Sequence, residues 1–335
     1  MLKKIITALT AALVLLGGCA AGNDNKSETE SEDMSKNISI DNEKTINVGI
    51  AWRKNPEQSL GVFEKSIEKA GGKATLLGQV KADGFDYGED NSLDGKYLES
   101  GMLKLEYAEI IKTDTYKNSN IEEIMDGVDA VIVPGGADIC PTLLKVPEGA
   151  KNNGEGFDAT RDISDYLLIS YCIDNDIPVY AICRGMQMLG VVSGATLIQD
   201  IGNYCKENGI DYADTHRMPA GTPNRDYTRH NIEIIDENSH IFEIIGSKSF
   251  ENITSWHHQA VGSVEGTNLK VTAINETDGL TVIEAIERTD KTFIIGLQPH
   301  PEAIAKKYVS GEDDVCDGEI CQRFVGTLVE YARRK

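Results

Sequence analysis

The stretch Pro178–Gly190, P-V-Y-A-I-C-R-G-M-Q-M-L-G, decides how the rest of the chain is read. Val179 to Ile182 is a short apolar run of strand length, and Met186 to Val192 is compatible with a helix. Cys183 stands at the turn between them, with the small residues Ala181 and Gly185 two places to either side. That is the form of a nucleophile elbow, in which a strand meets a helix through a turn so tight that neighbouring backbone leaves no room for large side chains. The turn sets the sulfur at a helix N-terminus, where the helix dipole favours thiolate over thiol. A buried core cysteine is the plain alternative, because free cysteine is among the most buried residue types. The stretch alone does not separate the two.

Working outward, strands and helices alternate on the N-terminal side. Ile46 to Trp52 reads as a buried first strand, Pro56 to Ala70 as a helix stopped by Gly71-Gly72, and Ala74 to Val80 as a second strand. Residues 81–102 read as a loop, Ile121 to Met125 as a short helix, Asp129 to Val133 as a strand, and Arg161 to Ile173 as an amphipathic helix. From about residue 231 strand candidates dominate: Ile232 to Ile235, Leu269 to Ile274, Thr281 to Ile286 and Phe293 to Leu297, with Gln322 to Ala332 as a closing helix. The pattern predicts an α/β fold with a mainly parallel central sheet flanked by helices and antiparallel C-terminal strands.

Two further motifs follow predicted strands. P-G-G-A-D at 134–138 ends one of them, and adjacent glycines let backbone N–H groups turn into a site. With the N–H of Arg184, that of Gly136 is placed to hold the oxyanion of a tetrahedral intermediate. Q-P-H-P-E at 298–302 ends another, and Pro301 biases His300 toward extended geometry. If 300–302 is extended, His300 and Glu302 share one side of the chain, and the carboxylate can orient the imidazole as base toward Cys183.

The N-terminus reads as an address. Lys3 and Lys4 precede an apolar run from Ile5 to Leu16, too short at ~1.5 Å per residue to cross a hydrocarbon core of about 30 Å. The L-G-G-C run that follows resembles a bacterial lipoprotein signal, with 1–18 as signal peptide and Cys19 as the lipidated first residue of the mature chain. Residues 19–45 are polar and make a solvated tether, leaving 46–335 as one catalytic domain. This implies an extracytoplasmic protein, lipid-anchored to the bacterial cell membrane. The net charge of −21 disfavours nucleic acid and anionic membrane surfaces as ligands. Seven cysteines are too sparse for a disulfide scaffold, although a Cys316–Cys321 bridge is open.

Together these motifs are similar to the class I glutamine amidotransferases (a flavodoxin-like three-layer fold), and more narrowly to the γ-glutamyl-γ-aminobutyrate hydrolase family. The resemblance also rests on F-D-A-T-R-D, L-I-Q-D-I, Thr215-His216-Arg217, His230, S-W-H-H-Q-A-V at 255–261, Asp278-Gly279 and Ile283-Glu284-Ala285. It implies a hydrolase of γ-glutamyl amide bonds acting through a γ-glutamyl thioester. Cys183 would be the nucleophile, His300 and Glu302 the rest of a triad, and the Gly136 and Arg184 amides the oxyanion hole. Gln187, His258 and Gln259 would face the substrate, and no metal or organic cofactor is implied. The only expected partners are a small γ-glutamyl substrate and, through the anchor, a membrane. Pro299 stands where the family usually has an aromatic residue, and Ala181 where it usually has glycine. Two other readings are a glutaminase subunit passing ammonia to a synthase and a lipoprotein that binds γ-glutamyl compounds without turnover.

Overall fold

Strand β1 (Ile46–Ile50) leads into helix α1 (Pro56–Lys69) and back to β2 (Gly72–Leu76). A small excursion follows, made of the pair β3 (Leu98–Glu99) and β4 (Met102–Leu103) and helices α2 (Leu105–Asp114) and α3 (Ile121–Ile124). Then come β5 (Ala130–Val133), α4 (Ala159–Asp174), β6 (Val179–Ile182) and α5 (Arg184–Ser193). The chain continues through β7 (Thr196–Ile198), α6 (Ile201–Asn208), β8 (Thr228–Ile234), α7 (His240–Ile245), β9 (Ser249–Ser255) and β10 (Ala260–Ser263). It closes with β11 (Leu269–Thr277), β12 (Leu280–Arg288), β13 (Ile294–Leu297), α8 (Pro301–Val309) and α9 (Gly318–Arg333). This computed structural model describes residues 44–145, 156–213, 215–218, 222, 227–277 and 279–335. The expected signal peptide, Cys19 and nearly all of the tether lie outside the described residues, as does Asp278.

Nine strands make one sheet in the order β2-β1-β5-β6-β13-β12-β11-β8-β9. The first five are parallel and the rest antiparallel, as the sequence pattern predicts. β5, β6 and β13 are buried along their whole length, which explains why they read as continuous apolar runs rather than alternating ones. Their side chains still alternate. Val131, Val133, Val179 and Ala181 join the core under α4 and α5, while Ala130, Ile132, Tyr180 and Ile182 join the core under α1, α8 and α9. Helices thus cover both faces, and residues from Lys44 onward form one compact unit.

Three local expectations are corrected. The second strand is β2 at Gly72–Leu76 rather than Ala74 to Val80, because its partner β1 ends at Ile50, opposite Leu76. Residues 81–102 are not wholly irregular, since β3 pairs with β4 at their end. And 300–302 is not extended: His300 caps α8, and Glu302 lies in its first turn.

The geometry that matters is where the parallel strands stop. Chain order puts β2 on one side of β1 and β5 on the other, so the sheet reverses winding at β1/β5. In open α/β sheets a crevice opens at such a point, beyond the carboxyl ends of the strands. The ends of β1, β5, β6 and β13 are followed by Arg53, Gly135-Gly136, Cys183 and His300, and all of these line one cleft.

Candidate active site

Cys183 leaves β6 with its N–H still donating to the Leu297 carbonyl of β13 at 2.7 Å. The chain then turns sharply, with φ 51° and ψ −111° at Cys183, and α5 begins at Arg184. A side-chain-bearing residue held there costs on the order of 1–3 kcal/mol, and persists only where its surroundings impose it. Gly185 shows what imposes it: a Cβ at that position would stand 2.0 Å from the Val133 carbonyl of β5. The helix start is wedged against the neighbouring strand. Ala181, two places before, is fully buried in the core under α5. The buried Sγ lies 3.8 Å from the carbonyl oxygen of Trp256.

His300 approaches from the adjacent strand end. Its backbone is fixed to β9, with its N–H donating to the Thr254 carbonyl at 2.8 Å and its own carbonyl accepting from Thr254 Oγ1 at 2.6 Å. Nδ1 pairs with Glu302 Oε1 at 2.7 Å. An N-cap residue and the second residue of a helix turn achieve what the extended reading expected by another route. Nε2 is buried, without a hydrogen-bond partner among the described residues. Gly135 locates the pair: a Cβ there would meet His300 Cε1 at 2.9 Å and Cys183 Sγ at 3.6 Å. Imidazole and sulfur therefore flank the same glycine. Burial opposes charge on His300, but the Glu302 carboxylate and the sulfur of Cys183 together hold its pKa well above the ordinary value.

The loop at Gly135-Gly136 is held from below. Arg161 Nη2 donates to the carbonyls of Pro134 at 2.8 Å and Gly135 at 3.0 Å. A Cβ on Gly136 would stand 1.8 Å from Arg161 Nη1, so no other residue fits without moving the arginine. Carbonyls drawn toward the guanidinium leave the loop's amide edge for the cleft. Beneath the elbow, the buried Arg184 side chain bonds to Asp162 and Asp165, while Asp165 also takes Arg161 Nε at 3.2 Å. Although burial opposes it, these two carboxylates raise the Arg184 pKa. Asp162 in turn accepts the Cys140 N–H at 2.8 Å. The F-D-A-T-R-D motif is thus the foundation of both turns.

The cleft encloses about 560 Å³. Gln187 lines it, but its Nε2 is engaged with the Gln259 carbonyl at 3.0 Å and Gln298 Oε1 at 3.2 Å. Gln259 Nε2 donates to the Gln199 carbonyl at 3.1 Å. His258 is clamped by both ring nitrogens, to Asp138 Oδ1 at 3.0 Å and Asp200 Oδ2 at 3.1 Å. Burial works against its charge, yet the two carboxylates raise its pKa. His258 therefore borders the cleft chiefly as the group that orients Asp138. Two charged lining residues escaped the sequence reading, Asp138 as a side chain and Arg53. Burial pulls the Arg53 guanidinium down to about 10, against the pull of Asp165, Glu302 and Cys183. Its position just past β1 matches that of the other three cleft motifs past their strands, and was the available signal. Cys316 and Cys321 are free thiols whose sulfurs share a hydrogen bond at 3.9 Å.

The chain is similar in sequence to several known proteins. The chain is 34% identical over 179 residues to protein NtpR of Enterococcus hirae, spanning 53% of this chain and 68% of that one. It is 30% identical to a glutamine amidotransferase-like protein of Rickettsia prowazekii, over 56% of this chain and 75% of that one. To the γ-glutamyl-γ-aminobutyrate hydrolase PuuD of Escherichia coli it is 25% identical, over 57% of this chain and 70% of that one. The sequence model of Peptidase C26 matches residues 108–302, the span that carries Gly136, Cys183, His300 and Glu302, and the chain belongs to that family of class I glutamine amidotransferase-like hydrolases.

Proposed function

We propose that the chain hydrolyses γ-glutamyl amide bonds, with Cys183 as nucleophile, His300 as acid and base, and Glu302 as the carboxylate that orients it. The observation that carries this reading is the convergence of Cys183 and His300 on Gly135, with Glu302 on the far nitrogen of the imidazole. Cys183 Sγ attacks the γ-carbonyl carbon, and the oxyanion is met by the amides of Gly136 and Arg184. The C–N bond breaks as His300 delivers a proton to the leaving amine, and a γ-glutamyl thioester remains. His300 then takes a proton from water, whose oxygen displaces the sulfur and frees glutamate.

The cleft also offers opposite charges for the glutamyl head group. Arg53 suits the α-carboxylate, and Asp138, oriented by His258, suits the α-ammonium. Gln187 supports that wall by donating to the Gln259 carbonyl. Incubation with paired γ- and α-linked L-glutamyl amides tests the reading. The γ-linked amides should release amine and the α-linked ones should not, since an unmet buried polar group costs about 1–3 kcal/mol. Equal rates on both, or turnover surviving Cys183→Ala, would overturn it.

A further inference from the structure

Behind the wall of the cleft lies a group that the hydrolytic chemistry does not use. His216, His230, His257 and Glu284 come from four separate segments, and one ligand atom from each lies within 4.8 Å of every other. All four side chains are at least nine-tenths buried. The three Nε2 atoms lie 3.3, 3.8 and 4.0 Å from Glu284 Oε1. Among the described residues, none of these nitrogens and neither Glu284 oxygen has a hydrogen-bond partner.

The donor count makes this arrangement unusual. His230 Nδ1 meets the Asn231 carbonyl at 3.2 Å, and His257 Nδ1 meets the Gln259 carbonyl at 2.9 Å. A carbonyl only accepts, so each Nδ1 carries the hydrogen and each Nε2 of the neutral ring presents a lone pair. Those lone pairs face a carboxylate, which is also an acceptor. His216 Nδ1 pairs at 2.7 Å with the Tyr212 hydroxyl, which can accept as well as donate, so His216 Nε2 presents a lone pair inward whenever Nδ1 carries the hydrogen. Buried acceptors gathered with at most one donor among them are costly, and they call for something positive between them.

We propose that these four side chains bind a divalent first-row metal ion, zinc by ligand type and closure, in a structural site. Three imidazoles and one carboxylate suit zinc, whose bonds of about 2.0–2.2 Å put tetrahedral ligands roughly 3.3–3.6 Å apart. At its widest, the 4.8 Å spacing must contract by roughly 1.2 Å to reach that geometry. Metal-bound histidines regularly donate their other ring N–H to a carbonyl or carboxylate, as His230 and His257 do. Four protein ligands and deep burial leave no open position, so the ion is not a Lewis acid for the substrate. Its effect is to pin His257, and with it the segment bearing Trp256, His258 and Gln259, to β8 and β12.

The test is elemental analysis of the full chain, desalted without chelator, followed by chelator stripping and titration with Zn²⁺ or Co²⁺. About one zinc per chain should survive desalting. Stripping should lower the melting temperature by several degrees, and added Zn²⁺ should restore it. Bound Co²⁺ should give the visible bands of tetrahedral nitrogen and oxygen ligation. Glu284→Gln and His230→Asn should each weaken binding at least tenfold, while Cys183→Ala should leave it unchanged. If those two ligand variants do not fold, the Co²⁺ spectrum of the unaltered chain decides. A chain that holds no metal and binds none when it is added overturns the proposal. So does a thiolate-to-cobalt charge-transfer band, or metal content unaffected in folded ligand variants; a different first-row metal at these ligands keeps the site and corrects its ion.

Discussion

Arg53 shows how much one side chain can add to a site assembled from strand ends. It stands past β1, within electrostatic reach of Cys183 and Glu302, in the cleft that Asp138 also lines. If it holds the α-carboxylate, Arg53→Met keeps the length of the side chain and removes a charge-assisted bond of about 1.5–3 kcal/mol. KM for a γ-glutamyl amide should then rise roughly 10- to 100-fold with kcat much less affected. A fall in kcat at constant KM would place Arg53 in transition-state stabilisation instead. At Gly136 a missing atom does as much, because the absent Cβ is what admits the Arg161 guanidinium under the loop.

Among the elements, α4 governs more than its amphipathic pattern suggests. Arg161, Asp162 and Asp165 lie within two of its turns, and with Arg184 at the start of α5 they tie together the Gly135-Gly136 loop and the elbow. Asp162→Asn would leave the buried guanidinia of Arg161 and Arg184 sharing a single carboxylate. Breaking a buried pair on one side is strongly destabilising, so unfolding in urea should show a loss of about 3 kcal/mol or more. A loss below 1 kcal/mol would mean that water reaches this cluster. Helix α8 contributes differently, since its first turn delivers Glu302 to His300. The two prolines of Q-P-H-P-E signalled a constrained backbone, but Pro301 serves as the first residue of that helix, a position where proline's fixed φ and missing N–H do no harm.

For the whole molecule, the charge of the His300 site links stability to pH. Glu302 and Cys183 face the imidazole, Arg53 is near both, and the net result is a folded pKa well above the unfolded value of about 6.5. A raised pKa contributes stability that is fully present below the unfolded pKa and lost as pH rises through the folded one. The melting-temperature gap between the unaltered chain and Glu302→Gln should therefore be widest below about pH 6.5 and narrow as pH rises. A gap that widens toward alkaline pH would mean that His300 is neutral in the folded chain.

The alternation of apolar strands with helices, and the placement of glycine, proline and cysteine at strand ends, were readable from the sequence alone. They reflect local rules: a fully buried strand must be apolar throughout, and a tight turn admits only small residues. Hence the mixed sheet, the elbow at Cys183 and the motifs at 134–138 and 298–302 could be named before any coordinates. Helices α2, α6 and α7 were not, because short or weakly patterned segments take their form from what they pack against. Nor did spacing show that His216, His230, His257 and Glu284 form one buried group, although each sat in a motif of the resemblance. Only the strand order of the antiparallel half of the sheet, which sets β12 and β8 on either side of β11 with β9 beyond, brings those segments, up to 68 positions apart in the chain, to a common point. Contacts at that separation are products of topology, and it is topology that turned a row of strand ends into a cleft.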